Sequence, residues 1–134
     1  VSIHVLDASA LVAYLSGEPG AKVIDDLLND PGAVSYAHSM NLCEVFYDAI
    51  RKTSFSDAQQ VILDLRKAGV IERRDMSKDF WQNAAALKAR GRISLPDCFC
   101  ISLAQKLGGE VVTSDHGEFD PLMPLGIVPI HFIR

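Results

Sequence analysis

Four carboxylates stand where local structure gives them little reason to be, and a fifth lies beside one of them. Asp7 follows at once on the β-branched run Val1–Leu6, and Asp115 follows at once on Val111-Val112-Thr113. Asp97 falls in the first turn of an apolar helix, on the face that carries Cys100, Ala104 and Leu107. Glu44 ends Asn41-Leu42-Cys43-Glu44, and Glu118 closes Asp115-His116-Gly117-Glu118. If three or four of these acids converge at about 5 Å, each pair repels by roughly 3 kcal/mol at an effective dielectric near 20. Such a site holds either protons or a cation. Oxygen ligands without histidine or thiolate select Mg²⁺ or Mn²⁺ over zinc or copper. The chemistry this points to is metal-assisted hydrolysis of a phosphodiester.

The elements around these residues must bring them together. Val1–Leu6 reads as a strand and Ala10–Leu15 as a short helix that Asp7 or Ser9 would cap. Gly17–Gly20 is a turn, Ala21–Asn29 a second helix and Ala33–Tyr36 a short strand. A third helix, about Ser39–Lys52, carries Leu42, Val45, Phe46 and Ala49 at helical spacing. Ser54–Asp57 breaks it, and a fourth runs to Ala68 with a Ser56–Gln59 capping box at its start. Val70–Glu72 is a short strand, and a fifth helix, about Ser77–Arg90, uses Phe80, Trp81, Ala84 and Leu87. The helix bearing Asp97 ends at Gly108-Gly109, Val111–Thr113 is a strand, and Ile127–Ile133 is a last strand in which Pro129 suits an edge.

Short strands alternating with helices argue an α/β fold with a mostly parallel sheet, in one domain over residues 1–134. In such sheets the functional crevice lies beyond the carboxyl ends of the strands, where strand order reverses. Asp7 and Asp115 would meet there. Asp97, in the first turn of the intervening helix, would be carried to the same end by a crossover helix taken to start at the opposite edge and to overhang it. Glu44 falls opposite the apolar stripe of its helix, with Asp48 and Arg51, so periodicity alone reads it as solvated.

Composition narrows the classes. A hydrophobic content of 49% with 22% charged residues is that of a globular protein. No apolar run approaches the roughly 18 residues that span a bilayer, and no basic-then-apolar leader opens the sequence, so a cytoplasmic, non-membrane protein is expected. The net charge of −4 argues against binding nucleic acid by bulk electrostatics, but not against a nuclease whose acids hold a cation. The three cysteines, Cys43, Cys98 and Cys100, suggest neither a disulfide framework nor a zinc site.

The ordered set Asp7-Ala-Ser, Asn41-Leu-Cys-Glu44, Leu95-Pro-Asp97 and Thr113-Ser-Asp115-His-Gly-Glu118-Phe resembles the PIN domain, in particular the VapC-type toxin ribonucleases. Each motif is short; their order and spacing over almost the whole chain carry the likeness. The resemblance implies a three-layer α/β/α fold around a parallel sheet of about five strands. It also implies a Mg²⁺- or Mn²⁺-dependent endoribonuclease acting on RNA, a homodimer, and a cognate antitoxin as partner. Position by position, Asp7, Glu44, Asp97 and Asp115 match the acidic, metal-binding quartet. Ser9 and Ser114 match hydroxyls that support the first and last of these, and Glu118, where the family more often has Asp, is secondary.

Each acid also has a plainer reading. Asp7 serves as a helix N-cap, Asp97 as a favourable charge in a first turn, Asp115 as a turn residue and Glu44 as surface. Together these leave the ordered set unexplained. The four histidines read as structural, with His116 alone near enough to Asp115 to approach a substrate. Lys88, Arg90 and Arg92 read as a solvated helix end, with steering of an RNA backbone as the second reading. The helices between Ser39 and Ala68 offer a dimer or antitoxin surface. Two other functions compete. A non-catalytic PIN-like module binding RNA or protein has no use for mutually repelling acids. An aspartyl-phosphate protein would want a second Asp two residues after Asp7, where Ser9 stands.

Overall fold

Strand β1 (Ser2–Leu6) occupies the middle of the sheet because both its faces are apolar: Val5 and Leu6 are fully buried, one toward each side. The structure, a computed structural model, describes residues 1–134. Around β1 lie β2 (Ala33–His38), β3 (Ile71–Arg73), β4 (Glu110–Thr113) and β5 (Ile130–Phe132), in the order β3-β2-β1-β4-β5. All four pairings are parallel. A parallel sheet must be covered on both faces, and here two separate apolar clusters do so. Val5 and Val111 pack with Phe80, Ala84, Leu87, Phe99, Ile101 and Leu103. Leu6 and Val112 pack with Leu11, Ile24, Leu42, Val45 and Leu65 on the other side. Adjacent residues of one strand thus feed opposite cores, which makes the fold a three-layer α/β/α sandwich.

The first face is covered by α5 (Lys78–Ala89) and α6 (Leu95–Leu107). The second is covered by α1 (Ala8–Ser16), α2 (Ala21–Asn29), α3 (Ser39–Lys52) and α4 (Phe55–Ala68). Helix α6 is buried on every side from Asp97 through Ala104, so its low amphipathicity reflects a central place rather than a weak helix. The turn from α6 into β4 needs Gly109, where a Cβ would lie 2.6 Å from the Ile3 carbonyl oxygen. No helix is long and apolar enough to cross a membrane.

The elements expected from the sequence are present, with four local differences. Helix α4 is capped by Ser54, whose Oγ accepts from the Asp57 N–H at 3.1 Å, not by Ser56 with Gln59. Ser54 has the extended backbone a cap requires, whereas Ser56 is already inside the helix. Trp81 is 45% exposed, outside the stripe of Phe80, Ala84 and Leu87. The last strand is only Ile130–Phe132, with Pro129 just ahead of it accepting from the Val111 N–H at 2.9 Å. Before it, a four-residue helix α7 (His116–Phe119) and a 3₁₀ turn (Asp120–Leu125) fill a stretch that carries no periodic pattern.

Candidate metal centre

The strand order reverses between β1 and β4, whose register pairs Leu6 with Val112. The next residues, Asp7 and Thr113, therefore leave the sheet side by side, and the Asp7 N–H donates to the Val112 carbonyl at 3.1 Å. Asp7 is 1% exposed and caps α1. Its Oδ1 accepts from the Ala10 N–H at 2.9 Å and from Ser9 Oγ at 2.7 Å, and its Oδ2 accepts from Thr113 Oγ1 at 2.5 Å. The cap reading of Asp7 therefore holds, and the same side chain stands at the strand-order reversal. Burial pushes its carboxyl up to about 6; the Thr113, Ala10 and Ser9 hydrogen bonds pull against this, and the Asp115 charge adds to it.

Thr113 is the residue that sequence reading missed. Its buried hydroxyl donates to Asp7 and accepts from the Asp115 N–H at 3.0 Å, so one side chain fixes two acids. Its strand propensity hid this role, since a β-branched residue at the end of an apolar run needs no other reason to be there. Ser114, expected to contribute its hydroxyl, contributes instead its backbone N–H, which donates to Ser9 Oγ at 3.0 Å. Ser9 does hold Asp7, as the sequence suggested.

Beyond Thr113 the chain turns into α7, capped by Asp115 Oδ1, which accepts from the Glu118 N–H at 3.0 Å. Glu118 in turn accepts from the Ser94 N–H at 2.9 Å and from Ser94 Oγ at 3.3 Å. Ser94 Oγ caps α6 by accepting from the Asp97 N–H at 3.3 Å. This relay brings one carboxylate oxygen each from Asp97, Asp115 and Glu118 within 4.8 Å of one another. Glu118, expected as a secondary residue, lies in this cluster with Asp97 and Asp115. Asp97 reaches it because a crossover helix runs antiparallel to its strands: α6 starts at their carboxyl edge and returns to the amino edge, where β4 begins. The expectation that it starts at the far edge inverted that geometry.

Glu44 is half-buried, not solvated. Burial, then the charges of Asp7 and Glu118, push its carboxyl up to about 6, with a hydrogen bond from Tyr47 working the other way. The polar side of α3 therefore faces the acids. Asn41, one turn earlier, is fully buried; its Nδ2 donates to the Pro96 carbonyl at 3.3 Å and ties α3 to the first turn of α6. His116 is not directed at the cluster. It bonds to Asp120 and to the Arg134 carbonyl and stacks on Phe132, 4.1 Å between ring centroids.

The sequence and the fold both have known counterparts. The sequence profile of the PIN domain matches residues 4–120. The chain belongs to the PIN domain family. No curated protein matches its sequence. Among solved structures, a toxin–antitoxin complex from Klebsiella pneumoniae is similar over 98% of each chain, with 20% identity and a TM-score of 0.71. VapBC2 from Rickettsia felis, bound to a DNA fragment from its promoter, is similar over 97% of this chain and 98% of that one, with 16% identity and a TM-score of 0.74. Mycobacterium tuberculosis VapC20, a toxin that cleaves the sarcin–ricin loop, is similar over 91% and 95%, with 18% identity and a TM-score of 0.69.

PIN nucleases use divalent metal ions, and the donor set of this PIN domain fits such an ion. Its ligand atoms are all carboxylate oxygens, the choice of hard cations that keep much of their water. No lysine or arginine pairs with Asp7, Glu44, Asp97, Asp115 or Glu118. At 4.8 Å and an effective dielectric near 20, each ionised pair among the three convergent acids repels by about 3 kcal/mol. A divalent cation bound among them would relieve that repulsion.

Proposed function

We propose that this PIN domain, with residues 1–134 acting as one domain, is a Mg²⁺- or Mn²⁺-dependent endoribonuclease and the cytoplasmic toxin of a toxin–antitoxin pair. The observation that carries the proposal is the convergence of Asp97, Asp115 and Glu118 within 4.8 Å with no basic side chain to neutralise them. A divalent ion bound there would supply positive charge for a phosphodiester oxygen and lower the pKa of an attacking water. Asp97, Asp115 and Glu118 would hold it. Asp7 completes the negative wall and is itself held rigid by Ser9, Thr113 and the Ala10 N–H. Glu44 faces the same acids from α3 and would serve as a further ligand or as the general base.

RNA as substrate and an antitoxin as partner are supported by the likeness to VapC20 and to the toxin–antitoxin complexes. Tyr47, Ile50, Phe55 and Leu63 are exposed apolar side chains on α3 and α4, and we assign this helix pair to a homodimer or antitoxin contact. The deciding experiment incubates purified protein with RNA in Mn²⁺ or Mg²⁺. Cleavage is expected, stopped by EDTA and absent in Asp7→Asn and Asp97→Asn. Metal-dependent cleavage that survives both substitutions would sink the assignment.

A further inference from the structure

Beside the acid cluster lies a pocket of about 340 Å³ that the proposed chemistry does not use. It is built from the loop between α5 and α6 and from the 3₁₀ turn after α7. Its floor is apolar, with Ile93 and Leu122, and its rim carries Leu125, Arg90 and Arg92. Glu118 belongs to both the pocket and the acid cluster, so the pocket borders the acids. The loop is fixed rather than slack: Lys88 Nζ donates to the Ile93 carbonyl at 2.8 Å, and Ser94 is held by Glu118.

The two arginines differ from every other arginine of the chain. Arg66, Arg73, Arg74 and Arg134 each pair with a carboxylate, and Arg51 lies over the Tyr47 ring at 4.9 Å. The side chains of Arg90 and Arg92 make no ion pair, hydrogen bond or ring contact. An acidic protein thus keeps two free guanidinium groups, both on the rim of an apolar hollow next to a site for cleaving phosphodiesters. A guanidinium binds phosphate through paired N–H donors and stacks flat on a nucleobase.

We propose that this pocket is a nucleotide subsite of the nuclease: it takes one unstacked base of a single-stranded RNA, while Arg90 and Arg92 hold the adjoining phosphate. The inference rests on the endoribonuclease reading. The free cations favour a polyanion over an apolar peptide, and the size suits one nucleotide rather than a duplex. Arg90 and Arg92 are binding and positioning residues, so they act on KM more than on kcat.

The test measures binding of a 12-nucleotide random-sequence single-stranded RNA in EDTA, by anisotropy, together with Mn²⁺ titration and Mn²⁺-dependent cleavage. The double variant Arg90→Ala, Arg92→Ala is expected to bind about 10-fold or more weakly, with a log–log salt slope shallower by about 0.7, the value for one phosphate contact on a single strand. Its Mn²⁺ affinity and melting temperature stay unchanged. Leu125→Glu, at a side chain 56% exposed and so safe for folding, is expected to weaken RNA binding likewise. An abasic site scanned along a defined RNA substrate should weaken binding at one position next to the scissile bond. RNA affinity and salt slope equal to wild type overturn the subsite while leaving the nuclease reading intact, as does an abasic scan without a sensitive position. Weakened binding of an antitoxin peptide with RNA binding unchanged overturns it too. Wild-type protein that neither binds nor cleaves RNA overturns both readings.

Discussion

Two acidic regions sit at the carboxyl edge of the same sheet and behave in opposite ways. At the end of β3, Glu72 pairs with Arg66 and Arg74, while Asp75 pairs with Arg73 at 2.8 Å and with Lys106 at 2.5 Å. These cations hold the Asp75 carboxyl well below the usual carboxylate range. At the ends of β1 and β4, the hydrogen bonds come from hydroxyls and backbone N–H groups, no cation is supplied, and Asp7 and Glu44 are pushed up to about 6. The first region is self-neutralised and stabilises the fold. The second leaves like charges crowded and unpaired, which costs stability in the metal-free protein. That contrast supports the proposal that the second region is the metal site, where a bound cation would relieve the repulsion.

The comparison breaks first on activity. Asp115→Asn is expected to lower the cleavage rate by about 100-fold or more, as loss of a group that stabilises transition-state charge does. It should leave the melting temperature equal or higher. A single-turnover assay with thermal melts checks both, and an active Asp115→Asn would place the chemistry elsewhere.

Next comes pH. Asp7 is harder to ionise folded than unfolded, its carboxyl rising from 3.8 to about 6. Its contribution to stability is therefore full below about pH 4 and lost as pH rises through about 6, an effect on the order of 3 kcal/mol. In EDTA, urea unfolding should show this loss, and Asp7→Asn should remove it and be the more stable protein at pH 7.5. Adding Mn²⁺ at pH 7.5 should restore the wild type, and do so less at pH 5, where protons compete.

The self-neutralised region predicts the reverse sign. Asp75→Asn is expected to destabilise by about 2 kcal/mol, since it weakens charge-assisted hydrogen bonds from Arg73 and Lys106, and to leave cleavage unchanged. The smallest effect belongs to Lys106→Ala. Its ammonium is half exposed, so under about 1 kcal/mol is expected in the same urea experiment.

How much of this was legible beforehand differs from residue to residue. Asp7 and Asp115 follow apolar runs directly, so the position at a strand end could be read without a fold. Glu44 could not be placed, because helical period tells which side of α3 is apolar and not what the other side faces. Thr113 was masked by its own β propensity, and Glu118 lies in a stretch too irregular for any periodic signal.

Sequence by itself determined the elements, the parallel α/β class and the ordered acids, because local periodicity, capping and turn chemistry act within a few residues. Only the tertiary structure decided which oxygens meet. Strand order β3-β2-β1-β4-β5 sets Asp7 beside Thr113, the antiparallel run of α6 lifts Asp97 to the same edge, and Ser94 draws in Glu118. These contacts join residues 24 to 106 positions apart, and no local preference specifies a pairing at that range.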